Sequence, residues 1–247
     1  MTDPNKPVAN LPSPASCPAC RARAPLPFVS VAARHYWRCP RCAAAFLSPH
    51  QLPSRDEERR HYALHENDQN DPGYRRFLAR LTAPLLTKLE PGVRGLDFGC
   101  GPGPALAAML REAGQEVRLY DPVFFPDTAS LAGKYDFITC TETAEHWHEP
   151  AVVFDLLDEL LSPGGWLAVM TGFMPEPSLF ASWHYRRDPT HVVFYSEATF
   201  RHIAGARCWR MEIPRRDVVL MQKPGAPEAP EVPEAPEAPE ELKHLTG

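Results

Sequence analysis

The chain has 247 residues, a net charge of −5 and 44% hydrophobic residues, so we expect one substantial domain with an ordinary core and a small additional module. No apolar stretch reaches the ~18 residues of a membrane span, which excludes a transmembrane helix. The first 14 residues are polar and proline-rich, with neither the basic start nor the apolar centre of a secretory signal. We therefore expect a disordered segment at 1–14 and a cytoplasmic location.

Four cysteines near the N-terminus form two close pairs. Cys17 and Cys20 enclose two residues, as do Cys39 and Cys42, and eighteen residues lie between the pairs. This spacing is typical of a four-thiolate zinc site, because each tight turn directs two sulfurs at one ion. A redox pair is the weaker alternative, since two matched pairs are present. We predict a zinc ribbon over residues 15–50, with strands at 26–31 and 35–38 and a structural Zn²⁺ that supplies the folding free energy.

The predicted ribbon is basic. It carries five arginines and no acidic residue, namely Arg21, Arg23, Arg34, Arg38 and Arg41. With four thiolates around a divalent ion the module keeps a charge of roughly +3. Two roles stay open: a surface that contacts nucleic acid, or a ribbon that packs against the main domain or dimerises.

Two helices are predicted in the connecting segment, residues 51–90. The first begins after Ser54, a residue suited to an N-cap, and reaches Tyr62. A polar loop rich in turn residues follows. The second helix spans Tyr74 to Leu89, where apolar residues recur at helical spacing, and Pro84 lies inside it.

Strands and helices alternate from Gly95 onward. This order predicts an α/β fold with a doubly wound, mainly parallel, Rossmann-like sheet that binds ligands at the carboxyl ends of its strands. An antiparallel pair at 208–213 and 217–222 closes the sheet. The other predicted elements are strands at 95–98, 116–120, 135–140 and 166–171 and helices at 104–113 and 150–161.

A glycine loop follows the first of these strands. Its glycines are Gly99, Gly101 and Gly103, and the position where a dinucleotide fingerprint needs glycine is Pro104. Asp97 lies two residues before the first glycine, and its charge would repel a pyrophosphate. The loop therefore favours a cofactor with a positively charged amino-acid part. Asp121, at the next strand end, is placed to accept hydrogen bonds from ribose hydroxyls.

The segment Leu96–Gly103 resembles motif I of class I methyltransferases. Similar likenesses occur at 120–122, at 141–146 and at 161–165, and together they cover about residues 74–223. The branch that contains quinone-biosynthesis and sugar methyltransferases is the most similar. The resemblance implies an S-adenosylmethionine-dependent methyltransferase domain at 91–223, in which Gly99, Gly101 and Gly103 line the cofactor. It also implies that Asp121 binds the ribose and that Glu142 lies under the methionine part.

Two further expectations follow from this resemblance. In many methyltransferases the segment before the first strand covers the cofactor cleft, so side chains there are candidates for cofactor or substrate contacts, with loop capping as the alternative: Tyr62, His65, Asn67 and Tyr74. Only residues 122–134 separate two strands that this fold usually joins through a helix and another strand. We leave adenine recognition unassigned.

Methyl transfer to a hydroxyl or an acidic carbon needs a base, and histidine has a suitable pKa. The stretch after the fifth strand is rich in aromatic, histidine and arginine residues. Our candidate bases are His191, His184 and His146; a structural hydrogen bond or an exposed position is the alternative for each. Arg186 and Arg187 are candidates for pairing with an anionic substrate.

Three functions are compatible with these features. The favoured one is methyl transfer to an oxygen or carbon of a small molecule. The alternatives are an RNA methyltransferase that binds RNA through the basic ribbon, and a non-catalytic protein that binds S-adenosylmethionine.

The segment 224–247 repeats proline, alanine and glutamate, with six glutamates and one lysine, and is predicted to be disordered. The oligomeric state and the acceptor are left open.

Overall fold

The computed structural model describes residues 12–63 and 68–226. The predicted disordered segments fall largely outside these ranges, and so do His65 and Asn67. None of the helices in the described ranges has both the length and the apolar character needed to cross a membrane.

The N-terminal module is an antiparallel hairpin extended by a third strand. β1 (Leu26–Val31) pairs with β2 (Arg34–Arg38), close to the predicted bounds. The turn residues Ala32 and Ala33 have φ of 50° and 59°, the left-handed conformation that two-residue hairpin turns require. β3 (Ala45–Leu47), which was not predicted, follows the second cysteine pair and adds to β2.

Two helices connect the module to the main sheet. α1 (Arg55–Tyr62) begins at a capping box, in which the Ser54 side chain accepts from Glu57 N and the Glu57 carboxylate accepts from Ser54 N. α2 (Pro72–Leu86) begins at Asp71, whose carboxylate accepts from Tyr74 N. Both helices agree with the predicted ones to within a turn.

The main sheet has six strands in the order β5-β4-β6-β7-β10-β9. The first four are parallel, whereas β10 is antiparallel to β7 and β9 is antiparallel to β10. The predicted fold class is therefore confirmed. The strands are β4 (Arg94–Phe98), β5 (Glu116–Tyr120), β6 (Tyr135–Thr141), β7 (Leu161–Met170), β9 (Arg210–Arg215) and β10 (Val218–Gln222), and the helices are α3 (Ala105–Glu112), α4 (Pro150–Leu160) and α5 (Glu197–Ala206).

Two details of this sheet bear on the sequence expectations. Between β5 and β6 the chain forms a 3-10 helix, Thr128–Leu131, so β5 is an edge strand, as the short connection indicates. The strand predicted at 166–171 begins earlier, because β7 starts at Leu161. Its first half is irregular: Gly164 has φ of 80°, and the pairing with β6 passes from Tyr135–Leu161 to Phe137–Trp166.

The hairpin module and the main domain share a sheet and a core. β3 pairs with β8 (Val193–Phe194), a two-residue strand of the main domain, which gives the order β1-β2-β3-β8. The fully buried ring of Tyr36 lies 5.1 Å from that of Phe180 and 5.9 Å from that of Phe194. Since buried aromatic side chains dominate core energetics, the hairpin is packed on the domain. The domain boundaries given above remain predictions.

Candidate functional site

The glycine loop adopts a backbone that favours glycine. Gly99 and Gly101 have φ of 78° and 65°, in the left-handed region. A Cβ on Gly99 would lie 2.2 Å from Cγ2 of Thr143, which is far inside contact distance. Gly99 N donates to Tyr120 O at 2.7 Å, so the loop folds against the end of β5.

Asp121 fastens that loop to the neighbouring strand end. Its Oδ2 accepts from Gly101 N at 3.1 Å, and its Oδ1 accepts from Val123 N at 2.8 Å and Phe124 N at 3.0 Å. A carboxylate offers about four acceptor positions, so one remains for a ligand hydroxyl. The sequence indicated a ligand contact but not this bracing of the loop.

Asp97 lies beneath the loop, only 2% exposed. Thr139 Oγ1 donates to its Oδ1 at 2.9 Å. Burial raises the pKa of Asp97 to about 7, although Thr139 counteracts the shift. This burial favours a role in supporting the loop over direct contact with a ligand.

Glu142, at the end of β6, takes part in a buried carboxylate network. It has φ of 47°, a strained value for a non-glycine residue, and such strain is common at functional sites. Tyr185 Oη lies 3.1 Å from Glu142 Oε2 and also contacts Glu145 Oε1. Thr171 Oγ1 donates to the other Glu145 oxygen at 2.8 Å. Burial, reinforced by the Glu145 charge, raises the pKa of Glu142 to about 9.

The carboxyl ends of the central strands are thus acidic. The acids are Asp97, the penultimate residue of β4, Asp121 after β5, and Glu142 and Glu145 after β6. The pKa of Tyr74, on the helix that precedes the sheet, is raised by burial and by Asp97 and Glu142. This end of the sheet suits a cationic ligand and disfavours a pyrophosphate.

His191 faces this acidic network. Its Nδ1 lies 2.7 Å from the carbonyl oxygen of Tyr185, and since a carbonyl only accepts, Nδ1 carries the proton. Nε2 then presents a lone pair, at 3.9 Å from Glu145 Oε1 and from Asp188 Oδ2. Burial lowers the pKa of His191, which keeps the imidazole neutral at pH 7.

The other two candidate histidines differ from each other. His146 Nδ1 contacts Thr190 O at 3.1 Å, and its ring lies 4.8 Å from the ring of His191, so these two lie together. His184 is exposed on the 3-10 helix His184–Arg187, away from the buried network. That position does not favour His184 as a base, and all three roles remain predictions.

Three further side chains, those of Tyr185, Thr171 and Asp188, belong to the site although the sequence gave them no role. Tyr185 and Thr171 bind the carboxylates. Asp188 accepts from Thr190 N and Oγ1, and it contacts His61 Nε2 at 3.1 Å. Burial alone would raise the pKa of Asp188, but these hydrogen bonds and the nearby imidazoles lower it well below its ordinary range. Tyr185 and Asp188 lie in the stretch after the fifth strand that is rich in aromatic, histidine and arginine residues, but the sequence did not indicate these roles.

The four N-terminal cysteines meet in one cluster. Sγ atoms of Cys17 and Cys42 are 3.7 Å apart, and those of Cys20 and Cys39 are 3.5 Å apart. A tetrahedral zinc with Zn–S of about 2.3 Å requires sulfurs about 3.8 Å apart, so this cluster fits the ion. Both turns repeat one pattern, in which the residue after the second cysteine is left-handed and donates to the carbonyl of the first, as seen at Arg21 and Ala43.

A second group could also surround a cation. Ligand atoms of Glu145, His146 and His191 lie within 4.8 Å of one another. Both oxygens of Glu145 already accept hydrogen bonds, from Thr171 and Tyr185. We therefore interpret this group as a hydrogen-bonded network.

Comparison with known proteins gives low but consistent similarities. The ubiquinone biosynthesis O-methyltransferase of Cronobacter sakazakii is 34% identical over 73 residues, which are 30% of this chain and 30% of that protein. The protein of the same name from Psychrobacter arcticus is 29% identical over 116 residues, or 36% of this chain and 45% of that one. The chain thus matches less than half the length of these relatives.

Solved structures with similar folds are more distant in sequence. Magnesium protoporphyrin IX methyltransferase from Synechocystis, with bound SAH, is 19% identical, with a TM-score of 0.45 over 68% of this chain and 93% of that one. The 1,6-didemethyltoxoflavin-N1-methyltransferase of Burkholderia thailandensis is 15% identical, with a TM-score of 0.47 over 81% and 99%. A family model described as a methyltransferase domain matches residues 70–208. Because that match spans more than half of the chain, the predicted enzyme class is confirmed, and the chain belongs to the methyltransferase domain family.

Proposed function

We propose that this protein transfers the methyl group of S-adenosylmethionine to an oxygen or carbon atom of a small-molecule acceptor. The observation that carries the proposal is the set of groups gathered at one end of the sheet. The left-handed glycine loop and the acidic strand ends lie there, and the neutral His191 imidazole has its Nε2 3.9 Å from Glu145 Oε1.

The cofactor's charges match the acidic side. S-adenosylmethionine carries a sulfonium and an ammonium and no phosphate, so it gains from carboxylates that would repel a dinucleotide. Gly99, Gly101 and Gly103 would lie along it, the free acceptor position of Asp121 would take a ribose hydroxyl, and Glu142 would take the ammonium. An ammonium beside Glu142 would favour the charged carboxylate over the protonated form.

His191 is the group best placed to take the acceptor's proton. Its Nε2 lone pair is held in place by the Nδ1 contact to Tyr185 O. As the methyl group moves from sulfur to the acceptor atom, the acceptor's proton would pass to Nε2 and the sulfonium would become a neutral thioether. Alignment of donor and acceptor supplies much of the remaining barrier reduction.

The four-cysteine cluster would hold a structural Zn²⁺. Four thiolates close the coordination shell, which leaves no position for substrate. When bound, the ion cross-links the two turns that begin and end the hairpin. The hairpin in turn carries β3, which pairs with β8 directly after His191.

The RNA alternative gains no support from three of the five ribbon arginines, because their side chains contact groups within the chain. Arg21 pairs with Asp155, Arg34 donates to backbone carbonyls of the main domain, and Arg38 lies over the Phe28 ring. Arg23 and Arg41 are exposed, so the basic surface that remains is smaller than the sequence indicated. The cytoplasmic location and the oligomeric state remain open to experiment.

The decisive experiment supplies S-[methyl-¹⁴C]adenosylmethionine and the purified chain to an extract of a deletion strain. Label should enter the small-molecule fraction, and His191→Gln should abolish it. Label in RNA or protein would contradict the proposed acceptor class. No transfer to any fraction would contradict the proposed activity.

A further inference from the structure

A cleft lies between the zinc-binding hairpin, α1 and the segment that carries Asp188 and Thr190. Its volume is about 480 Å³, within the range of small-molecule sites. The basic and amide side chains that line it are Arg34, Gln51, Arg60 and His61. It is distinct from the glycine loop and from the carboxylate network.

The hairpin side of this cleft is held rigidly. Arg34 Nη2 donates to Pro189 O at 2.9 Å and Nη1 contacts Asp188 O at 3.4 Å. Gln51 donates to Ala33 O and accepts from His35 N, both at 2.8 Å. A guanidinium has five N–H donors, so Arg34 keeps donors for a ligand while its position is fixed.

The charge of the cleft is positive. Arg34 and Arg60 contribute two cations, and Glu57 is the acid that lines it. The Glu57 carboxylate is held at the start of α1, where Oε2 accepts from Ser54 N at 2.8 Å and from Ser54 Oγ at 2.7 Å, and its charge offsets part of the Arg60 charge. One net positive charge remains on these three residues, and the exposed guanidinium of Arg60 is accessible to an anion in the cleft.

The cleft and the methyl-transfer centre share one wall. His61 Nε2, from the cleft, and His191 Nε2, from the centre, contact the same atom, Asp188 Oδ2, at 3.1 and 3.9 Å. Thr190 lines the cleft, and its carbonyl contacts His146 on the other side. Arg186, an arginine nearer in sequence, is buried and donates to Ala181 O, so it does not compete for such a ligand.

We propose that this cleft binds a carboxylate or phosphate group of the methyl acceptor, with Arg60 as its mobile contact and Arg34 as its fixed one. The inference rests on the proposed function and narrows the acceptor to an anionic small molecule. It also gives the hairpin a direct part in substrate binding.

The test measures binding of four probes by ligand-observed NMR, with the full zinc-loaded chain in the presence and absence of S-adenosylhomocysteine. Benzoate and phenyl phosphate are the anionic probes, and benzamide and benzyl alcohol are the neutral ones. Arg60→Gln should weaken the anionic probes about tenfold, the loss expected for one charge-assisted hydrogen bond. The matched control is Arg59→Gln, because Arg59 is exposed on the same helix and does not line the cleft.

The possible outcomes distinguish a failure of the anion-site inference from a failure of the proposed methyltransferase function. Equal affinity for neutral and anionic probes, or unchanged affinity in Arg60→Gln, would overturn the inference. Displacement of benzoate by a short RNA would also overturn it, in favour of a macromolecular ligand. If the wild-type chain does not bind S-adenosylhomocysteine, the proposed function is wrong, whereas loss of benzoate binding in Arg60→Gln would still establish the anion site. The stronger of the two anionic probes identifies the group.

Discussion

We predict that Glu142 makes cofactor binding dependent on pH. Burial and the Glu145 charge raise its pKa to about 9, so the free protein holds Glu142 protonated at neutral pH. Each pKa unit corresponds to about 1.4 kcal/mol, and ionising Glu142 at pH 7 therefore costs about 3 kcal/mol. If the ligand's ammonium requires the charged carboxylate, this cost is subtracted from the binding free energy, and it falls as pH rises.

The assay is calorimetric titration with S-adenosylhomocysteine between pH 6 and 7.5, below the pKa of an α-amino group at about 7.7–8.0. The wild-type chain should gain about tenfold in affinity per pH unit and release about one proton on binding. Glu142→Gln mimics the protonated acid, so its affinity should be below that of the wild type already at pH 6 and should not rise with pH. Glu149→Gln, an exposed neighbour, should follow the wild type. Equal pH slopes in the wild type and Glu142→Gln would refute the assignment of Glu142 to the ammonium.

Three other substitutions test the remaining parts of the site. His191→Gln should lower kcat by about 10²–10⁴-fold without changing the affinity for S-adenosylhomocysteine. The control His184→Gln, at an exposed residue, should have little effect. Because burial lowers the pKa of His191, the acid limb of the wild-type kcat profile should lie below pH 6.5. Cys39→Ser should remove bound zinc, as measured by mass spectrometry, and unfold the hairpin. The reason is that zinc binding contributes about 10–16 kcal/mol to the folding free energy of small zinc-binding peptides. The control Cys208→Ser, at an exposed cysteine, should retain the metal. Gly99→Ala should abolish S-adenosylhomocysteine binding, because its Cβ would clash with Thr143. The control is Gly114→Ala, since Gly114 has φ of 88° and open space around it. This control should lower the free energy of thermal unfolding only by the backbone strain of about 1–2 kcal/mol.

Local patterns predicted the elements well because their causes are local. Ser54 and Glu57 form a capping box within one turn, and the α1 bounds follow from it. The early start of β7 at Leu161, before the predicted 166, has a non-local reason. Lys223 N donates to Gly165 O, and Tyr135 pairs with Leu161, so neighbouring strands draw this segment into the sheet. These partners are distant in the sequence, so the local pattern of residues does not reveal them.

The site shows the same division. The glycine loop and the acids near the strand ends lie in short segments of the sequence, so the sequence alone identified them as candidates. Tyr185 could not be assigned, because its role depends on a hydroxyl that reaches Glu142 and Glu145 from more than thirty-five residues away in the chain. The β3–β8 pairing was equally hidden, since strands of three and two residues are too short to show alternation.

That short pairing gives the proposed zinc site a route by which it would affect methyl transfer, although the four cysteines would not contact the substrate. Residues 173–192 form a long connection with only short 3-10 helices, and such connections are mobile unless they are fastened. Here the hairpin fastens it: Leu47 N donates to Val192 O at 2.8 Å, and Arg34 binds the Asp188 and Pro189 carbonyls. His191 lies between these attachments. A chain without zinc should therefore retain the Rossmann-like sheet and the glycine loop, bind the cofactor, and lose the fixed position of its base.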